Sequence, residues 1–182
     1  MNAKSAALFV FGLVLFDITH GQTIGFNPEM YLNKEFQFSG LRTLDNQRIG
    51  INNLKGKPSL INFWFTSCKP CIEEMPILNR LKGRFLDSVN FIAITFEPKG
   101  KVTKFFEKHK FDFTQIIDAK IFTDKLGMKA YPVNIFLDKN GIATNIEIGM
   151  PYILDQNKNP TIRDGREFQE MLTKLLSDRS DD

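Results

Sequence analysis

The sequence predicts an α/β fold in which a central mixed β-sheet is flanked by helices and carries an N-terminal β-hairpin extension. Apolar runs of strand length, Ser59 to Phe65 and Val89 to Phe96, alternate with segments whose apolar residues recur at helical spacing. That alternation belongs to a mostly parallel core. A later pair of runs is joined by Asp138-Lys139-Asn140-Gly141, a hairpin turn that adds antiparallel edge strands. The only two cysteines, Cys68 and Cys71, stand at a junction between a strand and a helix.

Residues 1–21 read as a secretory signal: Lys4, an apolar stretch from Ala6 to Phe16, and a small-residue end at Gly21. The stretch is shorter than the roughly 20 residues that span a bilayer, and an uncleaved membrane anchor is the alternative reading. Residues 22–33 form a polar lead, 34–177 one domain and 178–182 a frayed tail. Phe36 and Phe38 alternate with polar residues as in a half-buried strand; Thr43 to Gln47 is a turn and Arg48 to Ile51 the return. Ile72 to Phe85 is a helix that Pro76 should kink. Val102, Phe105, Phe106 and His109 fall on one helical face, which makes His109 a packed, hydrogen-bonded core histidine. Phe113 to Ile117 is extended, Ile121 to Leu126 helical, and Val133 to Leu137 a strand returned by Ile142 to Ile148. Phe168, Met171, Leu172, Leu175 and Leu176 close the domain as an amphipathic helix capped by Asp164 or Thr161.

With 42% apolar residues among 182, the chain can bury a sizeable core without a covalent staple. Its net charge of +3 is small and lacks the basic stripe of a nucleic-acid binder. A disulfide across two intervening residues closes a very small loop and stabilises little, so in an exported chain the pair serves exchange chemistry. The first sulfur sits where helix N-terminal NH groups favour a thiolate, and the second, one turn on, can attack a mixed disulfide.

Cys68-Lys69-Pro70-Cys71-Ile72-Glu73-Glu74-Met75-Pro76-Ile77-Leu78 resembles the C-x-x-C-x-x-E-x-P-x-L signature of the TlpA/ResA-like family. Gly56-Lys57-Pro58, Asn62-Phe63-Trp64, Tyr131-Pro132-Val133 and Asp138-Lys139-Asn140-Gly141 extend the match over about Glu35 to Ile148. The resemblance implies a thioredoxin-like fold and an exported, periplasmic thiol–disulfide oxidoreductase, more often a reductase, with no cofactor beyond the Cys68–Cys71 disulfide. Its expected partners are disulfide-bearing client proteins and a membrane or exported electron donor, with no nucleic acid and no metal.

Within that resemblance Cys68 is the attacking nucleophile and Cys71 the resolving thiol. Pro70 rigidifies the loop between them, and Lys69 either adds positive charge or is a solvated surface residue. Thioredoxins carry an acid on the strand before the cysteines where this chain has Asn62; Glu97, at the end of the next central strand, is the expected proton acceptor for Cys71. Pro132 matches a cis proline facing the dithiol, and Tyr131 either shapes a substrate groove or packs. Trp64, Glu74 and Pro76 are structural neighbours; Glu74 either ties its helix to an adjacent segment or tunes the site. Two departures stand out: Ser67 replaces the usual Trp before the first cysteine, and the stretch 149–166 is a long link that would suit partner recognition.

Two other functions compete. A peroxiredoxin on the same fold would need Thr or Ser and Pro where this chain has Phe65 and Ile61. A non-catalytic binding module would use the cysteines as an inert disulfide or a metal pair, yet two thiolates alone make an incomplete zinc site.

Overall fold

The computed structural model describes residues 25–149, 152–154, 160–162 and 164–178. The expected signal segment, the start of the polar lead and the end of the tail lie outside the described residues. Strands β1 (Leu41–Thr43), β2 (Arg48–Ile49) and β3 (Ser59–Phe63) lead into helix α1 (Lys69–Phe85). Then come β4 (Asn90–Ile94), α2 (Lys99–Phe106), β5 (Thr114–Ile117), α3 (Lys120–Lys125), β6 (Val133–Leu137) and β7 (Ala143–Ile148). Two short strands, β8 (Tyr152–Leu154) and β9 (Pro160–Ile162), precede helix α4 (Arg166–Ser177).

One sheet holds seven strands in the order β2-β1-β5-β4-β3-β6-β7. Its centre, β5-β4-β3, is parallel, and every other pairing is antiparallel. Because side chains alternate across a strand, each central strand feeds two cores. Leu60, Phe91, Ala93 and Phe136 join the layer with α1 and α4, whereas Ile61, Phe63, Ile92, Ile94 and Ile135 face Phe36, Phe38 and Leu126. Burial on both faces explains the near-continuous apolar runs of β3 and β6.

The hairpin extension is present, but its first strand lies later than the aromatic alternation indicated. Phe36 and Phe38 are buried while their neighbours are not, and their backbone makes no strand ladder. Phe36 N–H donates to Gly141 O, Ile51 N–H to Phe38 O, and a single bridge joins Glu35 to Ile142. These are isolated contacts with a turn and a loop, so pairing begins only at Leu41, where β1 meets both β2 and β5.

His109 is a second correction. It is exposed, stacked on Phe105 with ring centroids 4.2 Å apart, and not in the core. The apolar spacing continues past Phe106, but the helix does not. Asn79 on α1 donates to Lys110 O and accepts from Asp112 N–H, drawing the chain away from the helical path.

At α4 the residue before the helix is Gly165 with φ +85°, and Asp164 accepts from Arg166 N–H at 3.0 Å. Thr161 belongs to β9 and is not the cap. The long link contains a two-stranded antiparallel sheet of its own, β8 with β9.

Candidate functional site

The cysteines occupy the turn between the carboxyl end of β3 and the start of α1. Cys68 is the N-cap of the 17-residue helix, with extended backbone angles, and its Sγ accepts from Cys71 N–H at 3.2 Å. The sulfur therefore takes one of the helix's otherwise unpaired donors, at the positive end of the macrodipole. Pro70 stands in the first turn, where its missing N–H costs nothing. Cys68 and Cys71 are joined in a disulfide, and both are buried. Lys69 extends into solvent and pairs loosely with Glu73 at 3.8 Å. Pro76 stands inside α1, which runs on to Phe85.

Two buried carboxyls flank this turn, and they do different things. Glu97, from the loop after β4, accepts from Thr66 N–H at 2.6 Å and from Thr66 Oγ1 at 3.0 Å, and is ion-paired with Lys101 at 2.5 Å. Thr66 lies two residues before Cys68, so Glu97 clamps the chain that delivers the nucleophile. Its two oxygens thus hold both the Thr66 backbone and side chain and the Lys101 ammonium.

Glu74, one turn along α1 from Cys71, is 2% exposed. It accepts from Asn134 Nδ2 at 2.9 Å and Asn62 Nδ2 at 3.2 Å, and Asn62 Nδ2 also reaches Asn134 Oδ1 at 2.9 Å. Asn62 and Asn134 are direct partners in the β3–β6 register, so one carboxyl ties α1 to two central strands. Burial pushes its pKa up from 4.5 to about 8, against the opposing pull of the two amides. A neutral, protonated carboxyl thus lies beneath the dithiol at pH 7.

The Tyr131–Pro132 peptide is cis, and Pro132 is buried at the start of β6. Tyr131 is half-buried and forms a three-ring cluster with Phe65 and Phe96: 5.2 Å from Phe65, 6.0 Å from Phe96, with Phe65 and Phe96 5.7 Å apart. Burial also raises the Tyr131 phenol pKa, against a hydrogen bond to Thr123, which keeps the ring neutral. Trp64 is fully buried within Phe105, Phe106 and Phe111 and holds α2 against β3. Ser67, before Cys68, is exposed.

Four residues of this site escaped the sequence reading: Thr66, Asn134, Phe65 and Phe96. Asn134 had a visible signal, a lone amide inside an apolar strand just as Asn62 is in β3. Phe65 and Phe96 each stand two residues past the end of adjacent parallel strands, the edge where sites form in open α/β sheets. Thr66 carries no local signal, since its partner lies 31 residues away.

Among the described residues, no group of three or more His, Cys, Asp or Glu is placed to hold a metal ion. No described helix is long and apolar enough to cross a membrane.

Residues 32–159 match the Redoxin family. The thioredoxin-like protein YneN of Bacillus subtilis is 32% identical over 113 residues, covering 60% of this chain and 66% of that protein. The thiol-disulfide oxidoreductase ResA of Halalkalibacterium halodurans is 30% identical over 112 residues, covering 60% and 64% respectively. The chain thus spans just under two thirds of the length of these relatives. The thioredoxin domain of a thiol-disulfide oxidoreductase from Bacteroides vulgatus superposes with a TM-score of 0.64 at 19% identity, over 80% of this chain and 97% of that one. The architecture is therefore thioredoxin-like, and the resemblance read from the cysteine motif holds.

Proposed function

The chain belongs to the Redoxin family, and we propose that it is a thiol–disulfide oxidoreductase that reduces disulfides in client proteins through Cys68 and Cys71. The observation that carries this reading is the N-cap hydrogen bond from Cys71 N–H to Cys68 Sγ, which favours a thiolate on Cys68 in the reduced protein. An unperturbed thiol of pKa about 8.5 is only about 3% ionised at pH 7. At a helix N-terminus in such motifs the value falls to about 7, which makes half of it nucleophile.

Cys68 thiolate attacks one sulfur of the client disulfide, and the other client sulfur leaves and takes a proton. Cys71 then loses its proton and attacks Cys68 Sγ, which releases the second client thiol and closes the Cys68–Cys71 disulfide. The client gains two electrons and two protons, and the dithiol loses them. A thiol donor, membrane-bound or exported, restores the pair. Glu74 is the group we assign to the Cys71 proton, since it lies one turn away and exchanges its own near neutrality. Glu97 is a positioning residue acting through Thr66. The Tyr131, Phe65 and Phe96 rings, with Pro132, line the client side of the dithiol. The apolar N-terminal stretch after Lys4 supports a place outside the cytoplasm, in a periplasm where disulfide clients occur.

Trapping tests the chemistry. Cys71→Ser, reduced and mixed with an oxidised client peptide, should accumulate a mixed disulfide on Cys68 that mass spectrometry resolves. Cys68→Ser should not. An equal adduct on both variants, or none on either, would overturn the assignment.

A further inference from the structure

A groove of about 290 Å³ runs beside the cysteine turn, between Thr66 and the last turns of α2. Its floor is Phe105 with the His109 ring stacked on it, and its rim is Lys101, Lys104 and Lys108. Lys101 and Lys104 stand on α2 and Lys108 in the turn just after it, and all three line the same groove. Lys101 is ion-paired with Glu97. Lys104 and Lys108 form no ion pair among the described residues, and Glu107 does not line the groove.

From this geometry we infer that the groove docks an acidic segment of the client, next to the cysteine that Cys68 attacks. The inference rests on the oxidoreductase reading and adds a substrate class to it: disulfides flanked by Asp or Glu. The link between groove and dithiol is a single carboxylate. Thr66 N–H, Thr66 Oγ1 and Lys101 Nζ all lie within 3.0 Å of Glu97 oxygens. Thr66, two residues before Cys68, is part of the groove wall, and a client lying across Cys68 toward Thr66 continues over Lys104 and Lys108. Unpaired lysines in a concave strip raise the local concentration of an anionic segment and align it before exchange. Phe105 and His109 supply a flat floor on which the segment's stems can rest. An anionic lipid surface fits the charge less well: the cations line a concave groove with Thr66, two residues before Cys68, in its wall.

The test uses two disulfide-bridged peptides that differ only in carrying Glu and Asp, or Gln and Asn, beside one cysteine. The readout is the ratio of their second-order reduction rates, for the reduced protein and for the Lys104→Gln/Lys108→Gln variant. The two exposed pairs, with Lys104 and Lys108, are each worth about a twofold effect, so the wild type should favour the acidic peptide roughly fourfold at low salt. That ratio should fall toward one in about 0.5 M salt and in the double variant. Equal rates for the two peptides would overturn the inference while leaving the oxidoreductase reading intact. If neither peptide were reduced, that reading and this inference would fall together. Retention on phosphatidylglycerol vesicles, lost in the double variant and unaccompanied by any peptide preference, would assign the groove to lipid headgroups and overturn it too.

Discussion

Replacing Glu74 with Gln should remove a pH dependence of stability that this carboxyl imposes on the fold. Its pKa in the folded protein is raised from 4.5 to about 8 by burial. Below the unfolded value both states hold the proton, and the stability linked to it is fully present. Between 4.5 and about 8 the unfolded chain has lost that proton while the folded one keeps it. The native state then binds more protons, so unfolding free energy falls as pH rises, by about 1.4 kcal/mol per pH unit. Over the whole interval the loss amounts to about 5 kcal/mol. The Gln side chain keeps the shape and can still accept from Asn62 or Asn134, but has no proton to lose. Urea unfolding of the oxidised protein, followed by fluorescence of Trp64, the single tryptophan, measures this directly at pH 5 and 8.5. Wild type should lose several kcal/mol more than Glu74→Gln between these values, and the variant should be the more stable protein at the higher pH. Parallel pH profiles for the two proteins would refute the placement of a neutral carboxyl beneath the dithiol.

Further outcomes follow from the same contacts. Glu97→Gln weakens the clamp on Thr66 and its ion pair with Lys101, and should cost about 1–3 kcal/mol in urea unfolding. The same variant should slow alkylation of reduced Cys68 severalfold, whereas a merely structural role would leave the thiol's pH profile unchanged. Gly165→Ala drives a Cβ into Ile77 Cγ2 at a backbone φ of +85°, so it should lower the thermal midpoint by several degrees and loosen α4 from α1. Tyr131→Ala opens the three-ring cluster and should raise KM for peptide disulfides with little change in kcat, which steady-state reduction assays separate.

Where function depends on neighbours in sequence, the chain was legible. The cysteine pair, the strand before it and the helix after it are local, and so are the Asp138–Gly141 turn and the apolar face of α4. Distant partnerships were harder. Periodicity carried His109 onto a helical face because nothing local marks the capture of the chain by Asn79, some 30 residues earlier. The alternation at Phe36 and Phe38 correctly reported which side chains are buried. It could not report that their backbone partners come from Gly141 and Ile51, outside any ladder. Glu74 was read as a tie between α1 and a neighbour, and the structure supplies the neighbours, Asn62 and Asn134, from strands 12 and 60 residues away. The clamp made by Glu97 was hidden for a related reason: its partner, Thr66, is unremarkable in sequence and meets it only where β3 and β4 end side by side.

The most direct test of the central claim is the midpoint potential of the Cys68/Cys71 couple, by equilibrating the protein from Gln22 onward against defined thiol buffers. A reductase whose dithiol is recharged by a thiol donor should titrate well below about −220 mV. A value near about −120 mV would make the pair an oxidant of folding proteins and contradict the account.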